Sequence, residues 1–293
     1  MNADVSLPSG NTDSGGSRWI PSLRGAAGPL ALLFVIAAVC ALAPLIAPYD
    51  PAVQPDIIAL QNQAPSWAHP FGTDGYSRDV LSRVIYGGRV SLAVAVVATL
   101  LSVTLGTAYG AAAGYATGFG GALLQRILEA LLSIPRLLLL IAIFAAWREI
   151  PTAGFVLILG ATGWYGLARL VRGQVLALKT RDFVASARAL GATDGRILIR
   201  HILPNVITPV VVAATLGIGH VIVLEAGLSY LGIGVRPPAP SWGNMIQDGS
   251  AEIAAQWWVS VFPGIAIVCT VMAFNVLGDA LLRALRPGQT GIE

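Results

Sequence analysis

The chain has 293 residues, of which 55% are hydrophobic and only 11% are charged, and its formal net charge is +3. Because about a quarter of the residues in a soluble domain are charged, this composition excludes an ordinary soluble domain and is typical of a membrane protein. The basic residues lie between apolar stretches rather than among aromatic residues, which does not favour a nucleic-acid-binding groove. Cys40 and Cys269 lie within apolar stretches, so we expect them to pack rather than to form disulfides.

The N-terminal segment is polar and is followed by the first apolar stretch. Residues 1–18 are rich in Gly, Ser, Asn and Asp, and we expect residues 1–28 to form a disordered tail. The apolar stretch begins near Pro29, and the sequence after it, APYDP at residues 47–51, is not a small-residue cleavage site. We therefore predict that residues 29–89 contain a retained first span and an external loop.

Six apolar stretches free of charged residues suggest transmembrane helices, each of which needs about 20 residues to cross the hydrocarbon core. They are residues 30–49, 90–125, 137–147, 150–168, 202–224 and 253–278. The second is too long for one span, and the glycines at 118, 120 and 121 predict that its helix ends near Tyr115. The third is too short, so its helix must also include Arg126, Glu129 and Arg136. We therefore predict an all-α membrane protein with six transmembrane helices.

The distribution of basic residues predicts how these helices are oriented. With the N terminus inside, twelve of the 18 Lys and Arg residues fall in cytoplasmic segments and five in external segments. Both termini, including residues 288–293, are therefore predicted to be cytoplasmic. Five tryptophans are then expected to form an aromatic belt at the outer interface: Trp67, Trp147, Trp242, Trp257 and Trp258.

Glycines recur every four residues along the second predicted span. Gly106, Gly110, Gly114 and Gly118 fall on one helix face, which leaves a groove without side chains. Such a groove allows a neighbouring helix to approach closely. We expect this face to serve tight helix packing rather than to line a pore.

A polar, basic segment, residues 181–205, separates two apolar stretches on the predicted cytoplasmic side, and we call it the knob. Apolar residues recur at Val184, Ala187 and Leu190, which predicts an amphipathic helix of about two turns. Gly191 follows this helix, where a left-handed cap conformation is most easily adopted. The first half of the knob is therefore predicted to be a short helix that ends in a glycine turn.

The second half of the knob also carries helix signals. Thr193 is placed to cap a second short helix, and Asp194 is favourable in its first turn. Pro204 then suits the start of the next span. Because a bare connector would not need such organised structure, docking to a partner is the favoured role. The alternative is an interfacial connector whose basic face lies on anionic lipid.

The knob resembles the cytoplasmic signature loop of bacterial ABC importer permeases, in which Glu-Ala-Ala precedes a glycine and an Ile-x-Leu-Pro sequence. Ala185, Ser186 and Ala187 occupy the first three positions, Gly191 the glycine, and residues 201–204 (HILP) the end. Three departures are evident: Ala185 replaces the Glu, Ser186 replaces the first Ala, and a histidine replaces the first Ile. The ending His-Ile-Leu-Pro-Asn is similar to that of the dipeptide/oligopeptide branch.

Further segments resemble the same branch in the same order along the chain. They are residues 69–92 before the second span, 228–246 in the last external loop, and 262–267 and 275–281 in the final span. The similarity extends from about residue 47 to residue 287. The chain is therefore similar to the C-type permease subunits of the peptide/nickel branch of ABC importers.

This resemblance implies an ABC type I importer permease fold over residues 90–287, with a coupling loop at about 171–204. It implies a non-catalytic subunit that forms a pathway for di- or oligopeptides in the bacterial inner membrane; nickel complexes or sugars are the alternative cargo. The expected partners are a paralogous permease, two cytoplasmic ATPase subunits and an extracytoplasmic solute-binding protein. The chain itself is expected to bind no cofactor, since ATP with magnesium would bind the ATPase subunits.

The resemblance also implies which residues contact the ATPase. The first knob helix would enter a groove on that subunit, and any acidic contact would come from Asp182 because Ala185 lacks a carboxylate. The residues assigned to this contact are Asp182, Phe183, Val184, Ala185, Ser186, Ala187, Arg188, Leu190, Gly191 and Pro204.

Other chemistries are less well supported by the sequence. The chain contains no Walker loop, HExxH or CxxC motif, so neither ATP binding by this chain nor a metal site is indicated. Intramembrane proteolysis would need a serine and a base on facing helices, but no serine has a Gly-x-Ser-x-Gly context. A proton-coupled secondary transporter is the alternative from another class, but no internal repeat supports it.

Three ionisable residues lie within or near the predicted spans and are candidate pathway residues. They are Arg136 in the third span, His220 in the fifth, and Glu225 near the outer end of the fifth. For Arg136 and Glu225, lining a water-filled pathway and structural pairing remain equally open. A single membrane histidine such as His220 most often donates a hydrogen bond to a neighbouring helix.

Overall fold

The protein is described by a computed structural model over residues 20–147 and 150–284, with side chains described from residue 25 onwards. This part of the chain is helical and has no β-strand, only an isolated bridge between Thr73 and Asp79. The predicted tail at 288–293 and most of the tail at 1–28 lie outside it. The first helix begins at Ile20, so residues 20–28 are helical where the sequence predicts a disordered tail.

Twelve α-helices and one π-helical turn form the described part of the chain. They are α1 (Ile20–Ala41), α2 (Ala43–Ile46), α3 (Val80–Tyr115), α4 (Gly118–Leu132), α5 (Arg136–Ala146), α6 (Thr152–Gly163), α7 (Tyr165–Lys179), α8 (Asp182–Ala189), α9 (Asp194–Ile197), the π turn (Leu198–Ile202), α10 (Leu203–Tyr230), α11 (Trp242–Ser250) and α12 (Trp257–Ala284).

Within residues 20–147 and 150–284, four helical stretches are long and apolar enough to cross a membrane. They are Val80–Tyr115, Thr152–Lys179, Asp194–Tyr230 and Trp257–Ala284. The pair α4–α5 adds a fifth if it counts as one span, although the two helices meet at 76°. The apolar part of α1, Gly25–Ala41, is shorter than a typical span. The predicted count of six spans, and the side on which each terminus lies, therefore stay predictions.

The third and fourth predicted spans are both interrupted helices. The helix predicted to include Arg126 and Arg136 is broken between α4 and α5, where Pro135 precedes the first residue of α5. Proline lacks an N–H donor and disfavours helical geometry at the residue before it, which explains this break. The fourth predicted stretch ends at residue 168, but α7 follows α6 directly after Trp164 and extends to Lys179.

The glycine face of α3 packs closely against a neighbouring helix, as the sequence predicts, and that helix is α7. A Cβ atom on Gly110 would lie 2.5 Å from the Ala168 carbonyl oxygen, and one on Gly114 would lie 2.8 Å from Val175 Cβ. Gly106 makes a similarly close approach to α7. Gly118 differs, because it begins α4 with a φ of +60° and has no close neighbour. Three of the four glycines therefore bring α3 and α7 together.

A cluster of buried apolar residues joins the knob to the helix bundle, and we call it the knob-end core. It contains residues from α3, α7, α8, α9, the π turn and α10. The members are Ala111, Val171, Val175, Val184, Ala187, Ile197, Ile202, Val206 and Val210. Since α8 contributes Val184 and Ala187 to this core, the short helix is packed onto the bundle.

The opposite end of the bundle buries two of the five tryptophans predicted to lie at the interface. Trp242 is only 1% exposed and donates from Nε1 to the Val84 carbonyl at 2.9 Å. Trp258 is 6% exposed and donates to the Thr73 carbonyl at 3.0 Å. The belt prediction is wrong for these two residues because each indole N–H has a carbonyl partner within the fold. Trp67, Trp147 and Trp257 are exposed.

An ion cluster at the same end connects the segment before α3 to α11. The Asp74 carboxylate accepts from Arg78 Nε at 2.7 Å and from Arg83 Nη1 at 2.5 Å. Both guanidinium groups also donate to Asp248 Oδ2 at 3.1 Å. Asp74, Arg78 and Arg83 are buried and Asp248 is exposed, so three internal charges are paired with one at the surface. The sequence does not indicate these contacts, because Asp248 is 165 positions or more from both arginines.

Candidate functional site

The first knob helix ends in a glycine cap of defined geometry. Gly191 has a φ of +80°, and its N–H donates to the Arg188 carbonyl at 3.0 Å. The N–H of Ala192 donates to the Ala187 carbonyl, also at 3.0 Å. This pair of bonds is a Schellman motif, which occupies two carbonyls at the end of α8. The predicted glycine turn is therefore confirmed as a feature of the backbone.

The two faces of α8 have different surroundings. Val184 and Ala187 are buried in the knob-end core, as their spacing predicts. Phe183 is 41% exposed, and Leu190 is 88% exposed although the sequence pattern places Leu190 on the apolar side. Leu190 follows the last residue of the helix and has left its apolar face. The remaining assigned side chains, Asp182, Ala185, Ser186 and Arg188, are also exposed.

Polar contacts around Tyr115 connect the knob to the end of α3. The Tyr115 hydroxyl donates to Asp194 Oδ1 at 2.5 Å, and Arg188 Nη2 lies 3.5 Å from both groups. Lys179 Nζ donates to the Tyr115 carbonyl at 2.5 Å. The hydrogen bond to Tyr115 raises the pKa of Arg188. The sequence shows Tyr115 only as the end of a span, and reasoning from it missed this role.

The second half of the knob differs from the prediction of a separate capped helix. Thr193 stands at the N-cap of α9, but its side chain makes no capping hydrogen bond. The helix continues from α9 through the π turn into α10, so the stretch Asp194–Tyr230 is continuous. Pro204 is the second residue of α10, where its missing N–H coincides with the change from π to α geometry. The second half of the knob is thus an extension of a span, whereas α8 is a separate helix.

Glu225 lies in a compact group of serine hydroxyls. It is 0% exposed and accepts from Ser91 Oγ at 2.9 Å and from Ser229 Oγ at 2.7 Å, and Ser241 also bonds to it. The Ser91 hydroxyl in turn accepts from the backbone N–H of Trp242 at 3.2 Å. The group links α3 and α10 to the start of α11. Of the two alternatives for Glu225, these contacts favour structural pairing.

Arg136 and His220 line one cavity of about 370 Å³ between α3, α5, α6, α7 and α10. Arg136 Nη2 donates to the Leu159 carbonyl at 2.8 Å. Glu225 is not among the residues that line this cavity. The structure therefore brings together two of the three candidate pathway residues and separates the third. The role of Arg136 and His220 in a solute pathway stays a prediction.

No group of three or more His, Cys, Asp or Glu side chains suited to a metal ion occurs within residues 20–147 and 150–284. His69 at the end opposite the knob pairs with the buried Asp79, with Nδ1 2.9 Å from Oδ1. Asp79 also accepts from the Ser82 hydroxyl at 2.7 Å, so the serine contacts the acid and not the histidine. This order differs from a serine–histidine–acid triad.

Known proteins similar to this chain are transport permeases. The chain is 45% identical over 259 residues to the glutathione transport system permease protein GsiD of Shigella flexneri serotype 5b, covering 88% of this chain and 85% of that protein. It is 42% identical to GsiD of Escherichia coli O6:K15:H31 with the same coverage. It is also 40% identical to a protein named as a peptide permease in Brucella suis biovar 1, over 83% and 80% of the two chains.

A solved structure shares the fold. A chain of the MetNI methionine ABC transporter, in an inward-facing conformation, matches with a TM-score of 0.59 and 21% identity, covering 70% of this chain and 97% of that one. The helical architecture is therefore that of an ABC importer permease. Residues 106–291 also match the family model described as the inner membrane component of binding-protein-dependent transport systems. The chain accordingly belongs to this family of inner-membrane transport permeases.

Proposed function

We propose that the chain is one of two different permease subunits of an ATP-driven importer, and that the two together form the solute pathway. Two cytoplasmic ATPase subunits, which bind ATP with magnesium, and an external solute-binding protein complete the complex. The chain contributes no catalytic residue and binds no cofactor. The chain lines half of the pathway, and a conformational change in an ATPase subunit displaces its knob.

The observation that carries the coupling role is the division of α8 into a packed face and an exposed face. Val184 and Ala187 attach the helix to the knob-end core, while Phe183, Ser186 and Leu190 remain exposed. A helix of eight residues is too short to be stable alone. Its packing and its glycine cap instead hold it as a rigid projection. The exposed face is available to a groove on an ATPase subunit.

The knob is also connected to the helices that would have to move. The knob-end core includes α7 and α10, and Tyr115 links the knob to α3 through Asp194 and Arg188. Because packed cores transmit displacement with little compression, movement of α8 would shift these helices together. The continuous helix Asp194–Tyr230 extends this connection across the membrane. These contacts support the proposal that α8 couples ATP hydrolysis to a change of access.

For the transported solute we propose glutathione or another short peptide. Relatives at 40–45% identity are named as glutathione or peptide permeases, which supports this class. A nickel complex or a sugar is the alternative cargo within the same branch. Selection depends largely on the solute-binding protein.

Uptake by the reconstituted complex tests the transport proposal. The full complex with its binding protein is placed in vesicles and supplied with ATP and labelled glutathione, dialanine, nickel or a disaccharide. We expect uptake of glutathione or dialanine that requires ATP and the binding protein. Uptake of nickel or the sugar alone would replace the proposed solute. Uptake by the isolated chain under a proton gradient would overturn the importer proposal.

Cross-linking tests the site of ATPase contact. In a Cys269→Ser background, Ser186→Cys is treated with a bifunctional maleimide within the assembled complex. We expect a cross-link to an ATPase subunit from this position. The matched control is Ile58→Cys, which is 94% exposed but lies in the loop before α3, far from the knob. Equal cross-linking from both positions, or none from Ser186→Cys, would contradict the assignment.

A further inference from the structure

The cavity between α3, α5, α6, α7 and α10 has the properties of a small-molecule site. Its volume of about 370 Å³ falls within the usual range for such sites. Its walls are mainly apolar or small side chains, including Leu167, Leu170 and Ala213, with hydroxyls from Thr99 and Ser102. Arg136 and His220 supply the two ionisable side chains. An apolar pocket with a few convergent polar groups is how most proteins bind small solutes.

Arg136 has hydrogen-bonding capacity that the described residues do not use. Its Nη2 donates to the Leu159 carbonyl at 2.8 Å, but its Nε is buried without a partner. Within the described ranges, no acidic side chain lines the cavity and no carboxylate forms an ion pair with Arg136. Arg136 is half-buried, and a partly desolvated guanidinium without a counter-ion carries an energetic cost. Ionisable groups at membrane depth commonly mark solute pathways. The cavity therefore has a cation and lacks an anion.

The backbone at the end of α6 leaves room for this guanidinium. A Cβ atom on Gly163 would lie 2.9 Å from Arg136 Nη2, closer than non-bonded atoms tolerate. The same Cβ would also meet the Ser102 hydroxyl. Gly163 is the last residue of α6, just before the break between α6 and α7 at Trp164. The absence of a side chain at this position lets Arg136 reach the cavity wall.

We propose that this cavity binds a carboxylate of the transported solute, with Arg136 forming charge-assisted hydrogen bonds to it and His220 contributing a further polar contact. The proposal rests on the proposed function, since short peptides and glutathione carry free carboxylates. A guanidinium is suited to a carboxylate because its planar fork can donate two parallel N–H bonds. The apolar walls would hold the rest of the solute and exclude water.

Binding of labelled glutathione to the permease–ATPase complex in nanodiscs, without the binding protein, tests the proposal. We expect saturable binding that glutathione displaces and that glutathione diethyl ester, which lacks free carboxylates, does not. Loss of a charge-assisted hydrogen-bond donor predicts that Arg136→Gln weakens binding by about tenfold or more. Arg136→Lys keeps the charge but not the fork, so an intermediate affinity is expected.

Two further variants complete the test. Arg126→Gln is the matched control, because Arg126 is exposed on α4 and pairs with Glu129 outside the cavity. Its binding should equal that of the wild type. His220→Gln should weaken binding less than Arg136→Gln does. If Arg136→Gln fails to assemble with the ATPase subunits, the affinities of Arg136→Lys and His220→Gln decide the outcome.

Three results would overturn the carboxylate site: no saturable binding to the wild type, unchanged affinity in the Arg136 variants, or equal displacement by the ester. ATP-dependent uptake with the binding protein is measured on the same preparation. Uptake of glutathione or dialanine together with any of these three results rejects the cavity alone. Failure of the wild type to take up either solute rejects the proposed peptide cargo, on which the carboxylate site rests.

Discussion

Gly191 ends α8 with a φ of +80°, and a Cβ atom placed on it would have no neighbour within 4 Å. Substitution there is therefore opposed by backbone conformation and not by crowding. A left-handed conformation costs a non-glycine residue about 1–2 kcal/mol, which changes the population of the capped end by about 5- to 30-fold. We expect Gly191→Val to lower solute uptake per ATP hydrolysed in reconstituted vesicles, while the chain still inserts and assembles.

Gly195 offers a matched control for this prediction. It also has no neighbour within 4 Å of a built Cβ, but it lies in α9 with an ordinary helical φ. Gly195→Val should leave coupling unchanged. Gly191→Asn should retain more coupling than Gly191→Val, because Asn tolerates the left-handed region. Wild-type coupling in Gly191→Val would show that the cap is not needed.

Glu225 provides a second test at the residue scale, because its contacts distinguish a structural role from a pathway role. Glu225→Ala leaves the hydroxyls of Ser91 and Ser229 without their acceptor inside the fold. We expect the free energy of unfolding to fall by about 2–4 kcal/mol, seen as a lower thermal midpoint of the purified complex. Glu225→Gln keeps the shape and an acceptor oxygen, and most stability and uptake should remain. Loss of uptake in Glu225→Gln at unchanged thermal stability would instead indicate a pathway role.

At the scale of elements, the contact between α3 and α7 depends on the absence of side chains along α3. A side chain on Gly110 would meet the Ala168 carbonyl at 2.5 Å and Val171 at 2.8 Å, so the two helices would have to separate. Overpacking of this kind typically costs about 1–3 kcal/mol. We expect Gly110→Leu to lower the thermal midpoint of the purified complex by several degrees. Gly173→Leu on α7 is the control, because nothing lies near that glycine, and an equal loss in both variants would contradict the packing account.

The elements that the sequence predicts correctly are those whose signals are local. The spacing of Val184 and Ala187 predicts the buried face of α8, and Gly191 predicts its end. The repeat of Gly106, Gly110 and Gly114 predicts the close approach of another helix, although not which helix approaches. Periodicity and capping depend on neighbouring residues, so a single sequence contains this information.

The features that the sequence does not predict depend on residues that are distant in the chain. Tyr115 meets Asp194 across 79 positions, and Ser91 meets Glu225 across 134. The sequence predicts that Trp242 lies at the membrane interface, but in the structure its indole N–H donates to the Val84 carbonyl. The cavity that Arg136 and His220 share is likewise lined by residues from five helices, α3, α5, α6, α7 and α10, and no local pattern marks it. Such contacts require the packing of the whole bundle to be known.

At the scale of the whole molecule, α3 connects the two ends. Its 36 residues extend about 54 Å, which exceeds the hydrocarbon core of about 30 Å, so both ends project beyond it. One end carries Arg83 and the ion cluster, and the other carries Tyr115 at the knob. Between them the glycine face holds α7. A displacement at the knob would therefore move α3 and α7 together. Its effect at the opposite end depends on how firmly the ion cluster holds that end of α3.

The ion cluster is the part of the molecule that would hold the opposite end of α3. Arg83 is 3% exposed and pairs with Asp74 and Asp248, so Arg83→Met would leave the buried Asp74 with Arg78 as its remaining cation. Breaking one partner of a buried ion pair costs about 3–5 kcal/mol. We expect a lower thermal midpoint of the purified complex and faster proteolysis of residues 47–79. Arg89→Met is the control, because Arg89 is exposed on the same helix, and equal stability of the two variants would mean that apolar packing alone holds this end.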